Sequence, residues 1–169
     1  MDGYLLDTCV FSHLYNPEKE FHEKTQAFLH SIPEGAPRWL SVISLAELRF
    51  GVRMAEVCGH RRLDQARATL NAAADMPLLQ VSRHTADACS VIRQMLASTY
   101  FKNGGCTKPP RWVEDWVDRA SGKRLQVDEN DVWLCALAIE RNLVLVTTDR
   151  RMMRIPQALP EKLRVHLIR

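Results

Sequence analysis

Short apolar runs alternate with segments of helical periodicity along the whole sequence. Five segments have the apolar character of β-strands, at residues 4–6, 39–43, 78–81, 143–146 and 163–167. Runs of this length, bounded by polar or turn-forming residues, are typical of strands in a packed sheet. The last segment alternates between apolar and polar positions, which indicates a half-exposed strand at a sheet edge.

Helical periodicity fills the intervals between these strands. Apolar residues recur at helical spacing within residues 21–29, 45–52, 63–73, 89–96 and 133–138. Ser44 and Glu47 have the S-x-x-E spacing of a capping box, which predicts a helix that begins at Ser44. Ser82 is expected to cap the helix that follows it, and Arg141-Asn142 to end the helix at residues 133–138.

Strand and helix alternate in a way that favours right-handed crossovers between parallel strands. The sequence therefore predicts an α/β fold, a three-layer α/β/α sandwich with a central, mostly parallel sheet, formed as a single domain over residues 1–169. Residues from about 98 to 124 interrupt the alternation with Asn103-Gly104-Gly105 and Pro109-Pro110. We interpret this stretch as a helical excursion, with a brief amphipathic helix at residues 112–120.

The composition is that of an ordinary globular protein, with 46% hydrophobic and 25% charged residues among 169. A chain of this size buries enough surface to fold without a disulfide or a structural metal. The net charge of +3 does not by itself indicate a nucleic-acid-binding protein. Five cysteines without a C-x-x-C pair favour small buried residues in a reducing cytosol over disulfides or zinc. No apolar run approaches the roughly 20 residues of a membrane span, and no leader is apparent, so we expect a soluble cytoplasmic protein.

Four acidic residues stand at the ends of predicted strands or at the first turns of helices. Asp7 closes the first strand, Glu47 lies early in the helix after the second, Asp131 opens the helix before the fourth, and Asp149 follows the fourth. Ligands of open α/β sheets bind outside the carboxyl ends of the strands. The four carboxylates are therefore expected to converge.

Each of these acids also has a purely structural explanation, because helix N-termini and turns favour carboxylates. Asp7 and Asp131 suit helix caps, and Asp149 suits a turn. Glu47 has the strongest structural alternative, since a capping box would use it to accept the backbone N–H of Ser44. The coincidence of four acids in equivalent places favours a functional site.

Other chemistries lack their motifs. The sequence has neither a P-loop nor a G-x-G-x-x-G loop, and no G-x-S-x-G nucleophile elbow. Asp7 has no second aspartate two residues later, as an aspartyl-phosphate phosphatase would require, and the cysteines have no evident histidine partner.

Four segments, in order, resemble the motifs of a known family: residues 5–8 (LLDT), residues 44–48 (SLAEL) followed by Gly51, residues 130–136 (NDVWLCA) and residues 145–149 (LVTTD). They are similar to the successive motifs of the PIN domain, especially the VapC type of toxin ribonuclease, over nearly the whole chain. The resemblance implies a metal-dependent endoribonuclease that hydrolyses RNA phosphodiester bonds, is blocked by a cognate antitoxin protein, and is often a homodimer.

The resemblance also implies the residues of the site. Asp7, Glu47, Asp131 and Asp149 would form an acidic metal site, with Thr8 and Thr147 as supporting polar groups. Carboxylate oxygens suit Mg²⁺ or Mn²⁺, as one or two ions. We expect Asp7 and Asp131 to hold the principal ion, Asp149 to share or orient a second, and Glu47 to position or deprotonate the attacking water. Asp128 and Glu129 lie close by, and Asp131 is preferred because it precedes residues 132–134 in helical register.

Basic and aromatic residues near these motifs suggest how partners bind. Arg49, Arg53, Arg150 and Arg151 are candidate phosphate ligands, although a solvated helix face explains each of them equally well. Residues 112, 113 and 116 (Trp, Val, Trp) form either a contact surface for the antitoxin or the dimer, or simply part of the core. The alternative function, from another class, is a non-catalytic metal-binding module that binds RNA or a protein.

Overall fold

The computed structural model describes residues 2–101 and 110–169, and the predicted break at residues 103–105, together with Cys106 and Pro109, lies outside them. The chain forms two compact units. The first comprises Met1–Gln80, Val144–Thr148 and His166–Arg169, and the second comprises Val81–Leu143 and Asp149–Val165. A single domain over residues 1–169 stays a prediction. No helix in the described part of the chain is long and apolar enough to cross a membrane.

A five-stranded sheet has the order β3-β2-β1-β4-β5. Its strands are β1 (Tyr4–Leu6), β2 (Arg38–Ser41), β3 (Leu78–Leu79), β4 (Val144–Thr147) and β5 (Arg164–Leu167). Strand β1 lies in the middle and pairs in parallel with β2 and β4, so that Leu5 is in register with Trp39 on one side and Leu145 on the other. The predicted α/β class, the mostly parallel sheet and the edge position of the last strand are confirmed.

The first unit contains the helices α1 (Thr8–Leu14), α2 (His22–Ser31), α3 (Val42–Val57) and α4 (Leu63–Ala74). Its core joins the inner strands to these helices. Leu6, Leu40 and Val146 from the sheet lie in one buried cluster with Val10 and Phe11 of α1. Burial of this apolar surface fixes where β1 ends and α1 begins, and Asp7 lies at that junction.

The junction of β2 and α3 differs from the prediction. The strand was expected to continue to residue 43 and the helix to begin at Ser44, but α3 already begins at Val42. Ser41 is the N-cap, and its Oγ accepts the backbone N–H of Ser44 at 2.8 Å. The capping-box prediction is therefore wrong, because the N–H that Glu47 would accept donates to Ser41 instead.

The second unit contains α5 (Arg83–Tyr100), α6 (Glu129–Glu140), α7 (Arg154–Ala158) and two 3₁₀ turns, Val113–Asp115 and Arg151–Met153. The expected cap is confirmed at Ser82, whose Oγ accepts the N–H groups of His84 and Thr85. Helix α6 ends at Glu140 with Arg141 as its C-cap, as expected, and Asn142 then adopts a left-handed conformation with φ of 52°. Asparagine tolerates this conformation better than most residues, so it can turn the chain toward β4.

The prediction of an amphipathic helix at residues 112–120 is wrong. The structure has one 3₁₀ turn, Val113–Asp115, after which Trp116 is extended and Val117 forms an antiparallel bridge with Arg124. Val113 and Trp116 are buried, whereas Trp112 is 52% exposed, so the three side chains do not form one shared face. The segment is fixed by contacts from elsewhere in the unit: Trp116 packs edge-on against Phe101, and the Val113 N–H donates to Glu129 at 3.1 Å.

Candidate active site

Asp7 lies at the carboxyl end of the central strand and is only 6% exposed. It occupies the N-cap position of α1, but its side chain makes no capping hydrogen bond. Instead the Thr147 hydroxyl donates to Asp7 Oδ2 at 2.7 Å, and the Cys9 thiol donates to the same oxygen at 2.8 Å. The carboxylate is therefore held by β4 and by the first turn of α1, which a simple helix cap does not require.

The electrostatics of Asp7 are those of a buried anion. Burial raises the pKa of its carboxyl above the ordinary 3.8, hydrogen bonds from Cys9 and Thr147 lower it, and the charge of Glu47 raises it again. None of the ion pairs among the described residues includes Asp7. A carboxylate in this environment is stabilised by a bound cation, which would replace the lost solvation.

Cys9 is a member of the site that the sequence analysis missed. Its sulfur accepts the backbone N–H of Thr148 at 3.2 Å while its thiol donates to Asp7, so it bridges the ends of β1 and β4. Burial and the neighbouring Asp7 raise the pKa of the Cys9 thiol to about 12, so it remains protonated and a donor at neutral pH. The only sequence signal was its position two residues after Asp7.

Glu47 and Thr8 form the second contact of this region. The Thr8 hydroxyl donates to Glu47 Oε2, which links the start of α1 to the second turn of α3. Glu47 is half-buried and contributes to the electrostatic environment of Asp7. In the first unit the structure thus brings together Asp7, Glu47 and both of the predicted supporting residues, Thr8 and Thr147.

In the second unit, Asp131 takes part in a reciprocal cap at the start of α6. The Asp131 N–H donates to Asp128 Oδ1 at 2.8 Å, and Asp131 Oδ2 accepts the Asp128 N–H at 3.1 Å. The capping explanation of Asp131 therefore holds, through its Oδ2 atom. Glu129, the other neighbour considered from sequence, pairs with Arg93 and accepts the Val113 N–H, so it has a structural role.

Asp149 begins the turn after β4 and binds an arginine of the same turn. Its Oδ1 accepts the Arg151 backbone N–H at 2.8 Å and the Arg151 Nε at 3.1 Å. The hydrogen bond and the charge of Asp149, followed by the charges of Asp131 and Asp128, raise the pKa of Arg151. Three carboxylates of the second unit therefore act electrostatically on one guanidinium group.

The remaining arginines predicted to bind substrate are on the surface. Arg49 and Arg53 are exposed and one turn apart on α3, and Arg150 is exposed beside Asp149. Exposed guanidinium groups at these positions are able to bind phosphate oxygens. Arg151 differs from them, because it already pairs with Asp149.

The four predicted acids thus occur as two pairs, Asp7 with Glu47 in the first unit and Asp131 with Asp149 in the second. Across residues 2–101 and 110–169, no group of three or more acidic, histidine or cysteine side chains is arranged as a metal site. The donor chemistry nevertheless fits a hard divalent cation, since carboxylate oxygens are the ligands that Mg²⁺ and Mn²⁺ prefer. The buried Asp7 is the strongest indication of such a cation.

Comparison with known proteins identifies the family and several similar solved structures. The family model of the PIN domain matches residues 4–158. A solved VapBC-5 toxin–antitoxin complex of Mycobacterium tuberculosis is 27% identical, with a TM-score of 0.61, and covers 100% of this chain and 99% of the other. VapBC2 of Rickettsia felis, bound to a promoter DNA fragment, has a TM-score of 0.64 at 19% identity, with 97% of each chain covered.

A third similar structure is VapC20 of Mycobacterium tuberculosis, described as a toxin that cleaves the sarcin–ricin loop. It has a TM-score of 0.52 at 14% identity, with 89% of this chain and 93% of that chain covered. A comparison with curated protein sequences finds no match.

Proposed function

The chain belongs to the PIN domain family, and we propose that it is a divalent-metal-dependent endoribonuclease, the toxin component of a toxin–antitoxin pair. The observation that carries the proposal is the carboxylate of Asp7. It is buried at the end of the central strand and held by two hydrogen-bond donors. Burying an anion destabilises the folded protein unless a cation binds to it. A buried carboxylate of this kind therefore indicates a cation-binding functional site.

The residues of this chain have distinct roles in the proposed reaction. Thr147 and Cys9 fix the orientation of Asp7 through its Oδ2 atom. Thr8 holds Glu47, whose carboxylate is suited to orient the attacking water and accept its proton. Exposed Arg49 and Arg53 on α3 are suited to bind phosphates of the RNA backbone beside Glu47.

Asp7 and Asp131 are the proposed principal ligands of the cation, with Asp149 and Glu47 contributing to one ion or to a second. When bound, Mg²⁺ or Mn²⁺ supplies charge neutralisation and Lewis-acid polarisation of the scissile phosphate. At Asp149, the Arg151 Nε lies 3.1 Å from Oδ1 and 3.3 Å from Oδ2 and so orients the carboxylate.

The proposed partners follow from the similar proteins. Several of them are VapBC complexes, which supports a cognate antitoxin for this chain, and VapC20 supports RNA as the substrate. A homodimer and a cytoplasmic location complete the proposal.

The experiment is cleavage of a structured RNA by purified, antitoxin-free protein with Mg²⁺, with Mn²⁺ and with excess EDTA. We expect cleavage with either cation and none in EDTA, and loss of cleavage in Asp7→Asn. The matched control is Asp87→Asn, which removes an exposed carboxylate on α5 and should leave the rate unchanged. Equal cleavage in EDTA would refute the metal mechanism. RNA binding without cleavage under every condition would favour the alternative, a non-catalytic binding module.

A further inference from the structure

A cleft of about 490 Å³ opens beside Glu47 in the first unit. Residues of α1, α3 and α4 line it, and we call it the α3 cleft. Thr8 and Glu47 are both part of its lining, so the cleft is continuous with the proposed catalytic residues. Its volume far exceeds that of one aromatic heterocycle, so a bound group would have room for its attached sugar.

The walls of the α3 cleft combine apolar surface with a few polar groups. Leu48, Val52 and Ala66 provide aliphatic surface, and Ser12 and Asn16 provide hydroxyl and amide groups. Small-molecule sites commonly have this composition, in which apolar walls supply contact and a few polar groups fix orientation. A nucleobase matches it, because its faces are apolar and its edges carry hydrogen-bond donors and acceptors.

The charges along the cleft also suit a nucleotide. Exposed Lys19 and Arg62 are part of the lining. Arg62 pairs with Glu18, but both side chains are more than half exposed, and such pairs are weak. A phosphate that follows the bound nucleotide would therefore meet cationic groups in the cleft lining.

Gly51 is an independent observation that points to a ligand. It lies in the interior of α3, lines the cleft, and is the only glycine among the described residues of its lining. A Cβ atom added there would meet no atom within 4 Å, and the residue has no left-handed conformation. Glycine destabilises a helix interior relative to alanine, and neither packing nor backbone geometry in the described chain requires it here. A glycine at this place would let another molecule approach the helix backbone closely.

We propose that the α3 cleft binds one unstacked nucleobase of the RNA, at a nucleotide adjacent to the scissile phosphate. Proteins that recognise RNA sequence commonly take up splayed-out bases of single strands and loops in this way. The inference rests on the proposed ribonuclease function and adds to it a site for substrate selection, formed by α1, α3 and α4.

The test uses a single defined RNA whose cleavage position has been mapped. Nucleotides on either side of that position are replaced, one at a time, by an abasic ribose. We expect one replacement to lower kcat/KM by about tenfold or more, since contacts to a single base commonly contribute that much. Gly51→Leu, which fills the cleft, should lower kcat/KM on the intact RNA by a similar factor and show no further loss on the abasic RNA.

The matched control is Ala68→Leu, which adds the same side chain at an exposed position of α4 outside the cleft lining. It should behave as the unmodified protein on both RNAs. Circular dichroism shows whether each variant is folded. If Gly51→Leu unfolds, Gly51→Ala replaces it, because the added methyl group meets no atom and should leave the fold intact. Gly51→Ala should show the same pattern of kcat/KM values to a smaller extent, since its side chain fills less of the cleft.

Two results would overturn the inference while leaving the proposed function intact. One is equal cleavage of the intact RNA and every abasic RNA. The other is a Gly51→Leu variant that cleaves normally but is no longer inhibited by purified antitoxin, which would assign the cleft to the protein partner. Failure of the unmodified protein to cleave any RNA with Mg²⁺ would instead contradict the proposed function, and the inference with it.

Discussion

Thr147→Val tests the buried hydrogen bond on which the geometry of Asp7 depends. Valine has nearly the shape of threonine, and Thr147 is fully buried, so the substitution removes a hydroxyl without opening a cavity. The substitution removes the 2.7 Å bond from Thr147 Oγ1 to Asp7 Oδ2 and the longer 3.4 Å contact of Thr147 Oγ1 with the Cys9 sulfur. Asp7 then retains the Cys9 thiol, a weaker donor, on the same oxygen.

The expected cost follows from the charge and burial of the acceptor. A hydrogen bond to an ionised group contributes about 1.5 to 3 kcal/mol, and its loss here leaves a buried carboxylate less well solvated. In a chain of 169 residues this corresponds to a decrease in Tm of about 3 to 12 °C. The pKa of Asp7, already raised by burial, should rise further.

The sign of the pH dependence is fixed by that raised pKa. A carboxyl whose folded pKa is raised binds its proton more tightly in the folded protein, so folding loses stability as pH rises through the folded pKa. The difference in unfolding free energy between Thr147→Val and the parent should therefore be largest at neutral pH. It should shrink as pH falls toward 3.8, the ordinary pKa of the group.

The assay is urea unfolding in EDTA of the parent, Thr147→Val, Asp7→Asn and the double variant. The coupling free energy between the two positions isolates their interaction. Thr148→Val is the matched control, since it removes a neighbouring threonine hydroxyl but keeps the backbone N–H that Cys9 accepts. If Thr147→Val lowered the free energy of unfolding as much in the Asp7→Asn variant as in the parent, the Thr147 hydroxyl would not stabilise the charged carboxylate of Asp7. That result would refute the role given to the hydrogen bond between them.

Four further predictions concern neighbouring side chains. In EDTA at neutral pH, Asp7→Asn should have a higher Tm than the parent. This difference in Tm should disappear as pH falls toward 3.8, because the buried carboxylate of the parent is then neutralised. A lower Tm of the variant at neutral pH would contradict this prediction. Glu47→Gln should lower the rate of RNA cleavage by at least about a hundredfold while leaving Tm nearly unchanged. Ser41→Ala, in contrast, should lower the free energy of unfolding in urea by about 0.5 to 2 kcal/mol, because Ser41 is the N-cap of α3. Cys9→Ser should bind Mn²⁺ about as well as the parent in calorimetry and Cys9→Ala more weakly, since only serine keeps a donor to Asp7; equal affinities would make Cys9 a packing residue.

Much of the sheet could be predicted because its strands are short, strongly apolar and bounded by polar residues. The end of β2 could not, since Val42 and Ile43 are β-branched and favour a strand by propensity. The hydrogen bond from the Ser44 N–H to Ser41 outweighs that preference and begins α3 at Val42. The prediction of a helix at residues 112–120 was wrong for a related reason. Contacts with Phe101 and Glu129, which lie outside that segment, determine its conformation.

The site shows the same division between local pattern and distant contact. The strand-end rule led to Asp7, and the resemblance to the PIN domain added Thr147; the two residues are 140 positions apart in sequence and form a hydrogen bond. The role of Cys9 was not predictable, because a thiol acts as a polar group only where the fold places a carboxylate and an N–H beside it. The bond of Arg151 to Asp149 depends on the conformation of a turn that no sequence pattern fixed.

The 140-residue separation of Asp7 and Thr147 has a consequence for how the protein is made. The ribosome synthesises strand β1 well before its partner β4, which pairs with it in the folded protein. At about 5 to 20 residues per second, synthesis takes roughly 7 to 28 s to pass from one to the other. During that interval one edge of β1 has no strand beside it, and Asp7 lacks the Thr147 hydroxyl. A polypeptide released before residue 147 cannot complete the site, so interrupted translation yields fragments without the proposed activity.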